Sequence, residues 1–299
     1  MGSLSRIASF ALAAATLAPS ARAAEPLLVG DKSHGANLWR IQCAGCHGDG
    51  HGFAEPTSIG RALGARRLRD PALLEARSDD DLINAMVKGG PGPGSPALVF
   101  LSTLDAGDLV AWLRAGLPSL QELFPDAAAY TTKRYTLGGP AVTRAESLAG
   151  SELSPEEREL AVFTVYGGER PVLGPRLVAQ DPVSLDSVSP KQRKGYVVFG
   201  ELNDAHGEPQ PLAMALANDF SVLYLRAPNL DLSKVAPAVI GKGGREPGKR
   251  KAFLSKTAPE QAAKLTRLYA RAVEAAAIAA KEEADRHIFD PPDSKGGSR

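Results

Sequence analysis

The stretch Cys43-Ala44-Gly45-Cys46-His47 constrains this chain most, because it holds both cysteines of the protein and a histidine directly after the second. This C-x-x-C-H spacing is typical of covalent haem attachment. Each thiol can form a thioether with one vinyl group of the porphyrin, and on one helical turn the imidazole of His47 can bind the iron. The motif therefore predicts one haem c, anchored by Cys43 and Cys46, with His47 as an iron ligand.

Three other interpretations of the cysteine pair are weaker. A redox dithiol needs no histidine after its second cysteine and is typical of a βαβ context that we do not find in this sequence. A zinc site needs a second pair of ligands, and no further cysteine remains to supply it. A disulfide between Cys43 and Cys46 would close a short, strained loop. Haem attachment is therefore the interpretation we carry forward.

Residues 1–23 are predicted to be a secretory signal peptide. Arg6 supplies a positive start, Ile7 to Ala18 is an apolar run too short to cross a bilayer, and Ala21-Arg22-Ala23 is a cleavage signal. We expect an exported, periplasmic protein that is soluble after cleavage, with no transmembrane span in the mature chain. Export agrees with the haem prediction, because thioether attachment takes place outside the cytoplasm.

The charge of the mature chain excludes one class of partner. Removal of residues 1–23 takes away Arg6 and Arg22 and no acid, so the formal net charge changes from +1 to −1. A nearly neutral chain lacks the basic footprint of a nucleic-acid-binding protein, and no nucleic-acid partner is expected. The remaining roughly 275 residues predict about two domains.

Helical patterns surround the motif. One helix leads through Gly35 and Trp39 into Cys43, a second is predicted over Asp79 to Lys88, and a third over Asp105 to Ala115, where Ser102 begins a good capping sequence. Leu109 and Trp112 of the third helix are the expected contacts of the first.

With these features, residues 32–116 resemble a small monohaem cytochrome c of the class I type. The resemblance implies an all-α haem domain in which the small residue and the aromatic of the first helix pack against the last helix. It also implies that Trp39 and Trp112 are scaffold residues and not part of the site.

The chain departs from this family at the sixth iron ligand. The family usually places methionine before a proline in the loop after the third helix, and here Ser95 precedes Pro96. A neutral serine hydroxyl is a poor ligand for this iron. Three alternatives remain open, namely Met86, a histidine, or an iron without a strong sixth ligand. The other histidines are His34, His51, His206 and His287, and the other methionine of the mature chain is Met214.

Four arginines follow the motif closely, at Arg61, Arg66, Arg67 and Arg69. A guanidinium binds a carboxylate through two donors, so one of them could pair with a haem propionate. A solvated basic loop is the simpler interpretation of the cluster.

The second half is predicted to be a linker, 117–140, followed by an α+β domain of unknown role, 141–289, and a disordered tail, 290–299. We recognise no family for this half, and its carboxylates and His206 form no catalytic constellation. The predicted elements are a helix from Ser154 to about Tyr166, four strands of a small antiparallel sheet, and a long helix from Thr257 to about His287. The strands are Val172 to Ala179, Tyr196 to Leu202, Leu212 to Ala217 and Phe220 to Arg226.

The predicted fold class is therefore an all-α cytochrome c domain followed by an α+β domain with a small antiparallel sheet and a long C-terminal helix. The predicted function is single-electron transfer in the periplasm with a redox partner protein, and no enzyme activity. The alternative is a haem enzyme or gas-binding sensor with an open sixth coordination position, which gains weight from Ser95.

Overall fold

The computed structural model describes residues 30–75, 77–89, 98, 100–168, 190–233, 235–244 and 259–287. Several predicted features lie outside these described residues. They are the signal peptide 1–23, Ser95, the strand from Val172 to Ala179 and the tail 290–299. Within the described part of the chain, no helix is long and apolar enough to cross a membrane.

Short helices precede the sheet in the chain. A π-helical turn, Trp39–Cys43, joins α1 to α2. The bounds are α1 Lys32–Leu38, α2 Ala44–His47, α3 Ser58–Ala62, α4 Pro71–Glu75, α5 Asp79–Lys88, α6 Thr103–Arg114 and α7 Leu120–Leu123.

Two of these helices begin with a capping box. The Ser78 hydroxyl accepts the backbone N–H of Asp81 at 3.1 Å, and the Asp81 carboxylate accepts the backbone N–H of Ser78 at 3.2 Å. Ser102 and Asp105 repeat the arrangement at the start of α6. The helix predicted over Asp79 to Lys88 is confirmed, and the one predicted from Asp105 begins two residues earlier.

The helices α1 and α6, which correspond to the predicted first and last helices of residues 32–116, cross at close range. A Cβ on Gly35 would lie 2.1 Å from the backbone oxygen of Asp108, so a residue without a side chain lets the backbones touch. The rings of Trp39 and Trp112 lie 4.6 Å apart between centroids. The predicted packing of the first helix against the last is therefore confirmed, with both tryptophans in the contact.

A five-stranded sheet follows, in the order β1-β2-β3-β4-β5 with every neighbouring pair antiparallel. Its strands are β1 Ala129–Thr136, β2 Glu159–Tyr166, β3 Arg193–Asn203, β4 Pro209–Leu216 and β5 Val222–Arg226. The predicted strands from Tyr196, Leu212 and Phe220 correspond to β3, β4 and β5. β1 lies within the segment predicted to be a linker, and the division of the chain into domains stays a prediction.

The helix predicted from Ser154 to about Tyr166 is wrong. Ser154 does begin a helical turn, since its hydroxyl accepts the N–H of Glu157 at 3.3 Å, but this turn ends at Arg158. β2 then begins at Glu159 and pairs with β1 on one side and β3 on the other. The run from Leu160 to Tyr166 is rich in β-branched and aromatic residues, which favour a strand between two neighbours over a helix.

The helices after β1 include α8 Pro140–Ala149, α9 Ala236–Val239 and α10 Pro259–His287. The predicted apolar stripe of the long helix is confirmed, because all six of its side chains are buried in the core that also holds one face of the sheet. They are Leu265, Leu268, Tyr269, Ala272, Val273 and Ala276.

The predicted fold class is wrong, because an all-α haem domain followed by an α+β domain is not what the chain forms. Phe53, which follows the motif, is buried in a core cluster with Phe163 and Phe199 of the sheet. A polar contact also joins the N-terminal helices to the sheet, because the Tyr130 hydroxyl of β1 donates a hydrogen bond to the Glu75 carbonyl of α4 at 2.6 Å. Phe53 and α7 therefore share a core with the sheet, while Trp39 and the buried residues of α4, α5 and α6 form a separate cluster. The physical reason is that Phe53 and the residues of α7 bury their apolar surface against strands and not against helices.

Candidate functional site

The π-helical turn sets the position of the two thiols. Cys43 ends this turn, and Cys46 and His47 follow within α2, so all three side chains belong to one continuous helical segment. Single π turns inside helices occur frequently at functional sites. Both thiols are free and half-buried.

The imidazole of His47 is oriented by the backbone. Its Nδ1 lies 2.9 Å from the carbonyl oxygen of Arg66, and a carbonyl can only accept a hydrogen bond. Nδ1 therefore carries the proton in the neutral ring, which leaves the lone pair of Nε2 available to a metal ion. This is the tautomer that an iron-binding histidine needs.

The thiol of Cys43 does not have the properties of a redox nucleophile. Burial, with a smaller contribution from Cys46, raises the pKa of Cys43 to about 11. Reactive dithiols depend on a lowered pKa, because the thiolate is the attacking species. The environment therefore argues against the redox-dithiol interpretation of the motif.

The loop 48–57 wraps back over the motif. Gly48 and Gly50 have φ angles of +79° and +92°, which other residues rarely adopt, and a Cβ on Gly50 would lie 2.4 Å from the ring of Trp112. Trp39 Nε1 donates to the Gly48 carbonyl at 3.0 Å, and the N–H of Thr57 donates to the Cys46 carbonyl at 3.0 Å. The loop is thereby tied at both ends to the helical segment that holds the thiols.

Large apolar side chains remain exposed on the π turn and on α3. Ile41, Ile59 and Leu63 are 70%, 65% and 72% exposed. Ile41 lies in the π turn, and the other two belong to α3 and the residue that caps it. α3 packs directly on the motif, because a Cβ on Gly60 would lie 1.9 Å from the Cys46 carbonyl oxygen. Exposed large apolar side chains can serve as contacts for an apolar ligand or partner, so the elements around the motif fit an apolar macrocycle.

The four arginines after the motif do not form a common anion site. Arg69 is buried and donates to the Gly50 carbonyl at 2.6 Å, to the Leu113 carbonyl at 3.2 Å and to the Ala115 carbonyl. Its guanidinium also lies 5.3 Å from the centre of the Trp112 ring. Arg69 is therefore a structural residue that joins the loop 48–57 to the end of α6.

The other three arginines have separate roles. Arg61 donates to the Pro56 carbonyl at 2.7 Å, and Arg67 forms an ion pair with Glu55. Arg66 contributes its backbone carbonyl to His47. The prediction of a solvated loop holds for the exposed Arg61, Arg66 and Arg67, while it missed the burial of Arg69. Neither the carbonyl contact nor this burial has a recognisable sequence pattern.

The candidates for a sixth iron ligand lie in different places. Met86 is half-buried and borders the same apolar cluster as Cys43. Met214 is fully buried in the cluster formed by α10 and the sheet, on the opposite face of the sheet from Phe53. The structure thus leaves Met86 as a candidate and separates Met214 from the motif.

The histidines besides His47 have other surroundings. His51 is exposed, with Nδ1 3.9 Å from a Glu208 carboxylate oxygen, and His206 is exposed in the turn between β3 and β4. His34 Nδ1 lies 2.7 Å from the Asp108 carboxylate, and this hydrogen bond raises the pKa of His34. The side chain of His287 lies outside the described residues.

His34 belongs to a group of side chains of metal-binding type with Asp105 and Asp108, whose ligand atoms lie within 4.8 Å of one another. Both carboxylates already accept hydrogen bonds from the backbone, Asp105 from Ser102 and Asp108 from Asp31. These backbone hydrogen bonds therefore account for this group without an ion.

The comparisons with known proteins cover a small part of the chain. No family model and no curated protein matches the sequence. Among solved structures, the chain is similar to the KustC0563 c-type cytochrome, with 30% sequence identity. The likeness covers 27% of this chain and 93% of that chain, with a TM-score of 0.24. Part of this chain is thus similar to a c-type cytochrome.

Proposed function

We propose that this chain is a periplasmic c-type cytochrome that passes single electrons through a haem attached to Cys43 and Cys46, with His47 as an iron ligand. The proposal includes export by the predicted signal peptide. It also includes a redox partner protein as donor or acceptor of the electron.

The hydrogen bond between His47 Nδ1 and the Arg66 carbonyl carries this proposal. A histidine in a solvated loop has no need of a fixed tautomer, whereas a histidine that binds a metal through Nε2 requires the proton on Nδ1. Both thiols lie on the same helical segment as this imidazole. The donor set of two thiols and one oriented imidazole is the set that covalent haem attachment uses.

The residues around the motif have distinct roles in this proposal. Cys43 and Cys46 fix the position of the porphyrin, and the Arg66 carbonyl orients the imidazole. Ile41, Ile59 and Leu63 offer the apolar surface that keeps water from a macrocycle. A haem bound there supplies reversible one-electron chemistry, and its potential depends on the axial ligands, hydrogen bonds and burial.

A haem enzyme or gas-binding sensor is the second candidate function. It is favoured by the position of Met214 behind the sheet and by the exposure of His51 and His206. Ser95, at the place where the family has methionine, supports the same alternative. An iron with a weak sixth ligand has an open position for a small molecule.

The test is the pigment of the exported protein and of three variants. We expect wild-type protein to keep its colour on a denaturing gel and to show a c-type absorbance spectrum in both redox states. Cys43→Ala/Cys46→Ala should carry no covalent pigment, and His47→Ala should lose the low-spin spectrum. His34→Ala is the matched control, because it removes an imidazole that is already held by the Asp108 carboxylate at 2.7 Å, and its spectrum should equal that of wild type.

Two outcomes would decide against parts of the proposal. Colourless wild-type protein, or pigment that leaves the chain on the denaturing gel, contradicts covalent haem. A covalent haem that is high-spin and binds carbon monoxide when reduced contradicts the electron carrier and supports the enzyme or sensor.

A further inference from the structure

One carboxylate of the sheet reaches the loop that follows His47. Glu201 lies in β3 on the same face as Val197 and Phe199, whose side chains pack with Phe53. Its carboxylate accepts the backbone N–H of Phe53 at 2.7 Å. A Cβ on Gly52 would lie 2.1 Å from Glu201 Oε1, so the carboxylate fits directly against the loop backbone.

The hydrogen bond from Phe53 to Glu201 adds a contact from the sheet to the hydrogen bonds that hold the loop 48–57. Trp39 holds the Gly48 carbonyl and Arg69 holds the Gly50 carbonyl, both from the N-terminal helical region. Glu201 holds the N–H of Phe53 from the sheet. The first residue of this loop follows His47 directly, so Glu201 links the sheet to the loop that begins at the imidazole.

Glu201 is a half-buried acid whose charge is affected by several neighbouring groups. Burial raises its pKa above the usual 4.5, and Glu55 acts in the same direction. The N–H of Phe53, Arg67 beside the loop and Lys264 of α10 lower the pKa and offset part of this rise. Arg69 is also close enough to be affected by the charge of Glu201.

Protons can reach this carboxylate. Glu201 lines a cleft of about 460 Å³ between the loop, the sheet and α10 that is open to solvent. The floor of the cleft includes Phe53, Phe199 and Leu268, so the carboxylate meets water on one side and apolar surface on the other.

We propose that Glu201 is a positioning residue through which the sheet holds the loop after His47 and makes the reduction potential of an iron bound to His47 depend on pH. This inference rests on the proposed function.

The direction of the effect follows from charge. Oxidised iron carries one more positive charge than reduced iron, so an anion whose charge acts on the iron stabilises the oxidised form and lowers the potential. As the pH rises through the pKa of Glu201, the side chain loses its proton and the potential falls. A neutral isostere at this position keeps the potential at its higher value throughout.

The experiment compares the full-length, haem-loaded protein with Glu201→Gln by spectroelectrochemical titration at several pH values from below 4.5 upward. We expect Glu201→Gln to have a higher midpoint potential than wild type above the pKa and a smaller dependence on pH. Glu159→Gln is the matched control, because it removes the same charge from an exposed residue that also lines the cleft, and it should match wild type. A Glu201→Gln potential that equals wild type at every pH overturns the inference.

Hydrogen exchange of the Phe53 amide tests the positioning role without reference to the iron. Glu201→Ala should speed this exchange by about tenfold or more, because a hydrogen bond to a charged acceptor is lost. Glu201→Gln keeps an acceptor oxygen and should exchange much as wild type does. Unchanged exchange in Glu201→Ala overturns the positioning role, whereas protein without haem overturns the proposed function and the effect on the potential with it.

Discussion

Replacement of Gly35 by alanine tests how closely α1 and α6 must approach each other. The added Cβ would lie 2.1 Å from the Asp108 carbonyl oxygen, 2.6 Å from the Asp108 carbonyl carbon and 2.9 Å from the Cβ of Trp112. Two of these three neighbours are backbone atoms of α6, which cannot move aside as the end of a side chain can. α1 and α6 must therefore separate, and the contact between Trp39 and Trp112 opens with them.

The expected cost follows from two opposing effects. Overpacking of a buried site costs about 1–3 kcal/mol, and the backbone clash here places Gly35→Ala at the upper end. Alanine is favoured over glycine in a helix by about 0.5–1 kcal/mol. We therefore expect Gly35→Ala to lower the free energy of unfolding by about 2 kcal/mol.

Gly107 of α6 supplies the matched control. Its added Cβ would meet the Ile83 side chain at 3.9 Å, an ordinary van der Waals distance, so the helix preference acts alone. Gly107→Ala should raise the free energy of unfolding by about 0.5–1 kcal/mol. Urea unfolding followed by circular dichroism, with unchanged m-values, measures both. Equal stability of Gly35→Ala and wild type, or a loss in Gly107→Ala as large as in Gly35→Ala, would refute this account of the helix crossing.

Two further substitutions test the loop after the motif and the long helix. Trp39→Phe keeps an aromatic ring but leaves the Gly48 carbonyl without its donor, so the free energy of unfolding should fall by about 1–2 kcal/mol. Trp112→Phe is the comparison, and both variants are measured by urea titration. An equal loss in the two variants contradicts a role for the hydrogen bond. The hydrogen bond with Arg267 holds the pKa of Glu157 below its usual 4.5, so this stabilisation is present above that pH and is lost as the pH falls through the lowered pKa. Glu157→Gln should therefore lower the free energy of unfolding by about 1–2 kcal/mol at neutral pH and by much less in acid. Urea unfolding at both pH values measures this difference. A loss of stability that does not change with pH contradicts the role given to the hydrogen bond with Arg267.

Much of the candidate site could be predicted because its residues are adjacent in the sequence. The spacing of Cys43, Cys46 and His47 is enough to predict haem attachment, and one helical segment brings the three residues together. The partner of His47 could not be predicted, since it is the backbone carbonyl of Arg66 and a carbonyl carries no residue preference. The structural role of Arg69 could not be predicted either. Three neighbouring arginines carry the same charge, and Arg69 differs from them only in being buried.

The fold could be predicted where local preferences are strong. The capping sequences at Ser78 and Ser102 begin helices, and the apolar stripe of the long helix is buried. The segment after Ser154 was predicted wrongly, because its capping residues favour a helix for one turn while the residues that follow favour a strand. Pairing with β1 and β3 decides between these preferences, and sequence patterns do not include it.

The amino-acid sequence alone predicted haem attachment at the motif and determined the periodic elements around it, because both depend on residues within a few turns of one another. The tertiary structure alone decided that Phe53 is buried in the sheet and that Glu201, 148 residues further along the chain, accepts a hydrogen bond from its N–H. Apolar burial has no direction and no fixed partner in the sequence, so the surface against which Phe53 packs depends on the assembled strands. The expected all-α haem domain was wrong for this reason, since Phe53, in the loop after the motif, is buried against residues that the chain supplies much later.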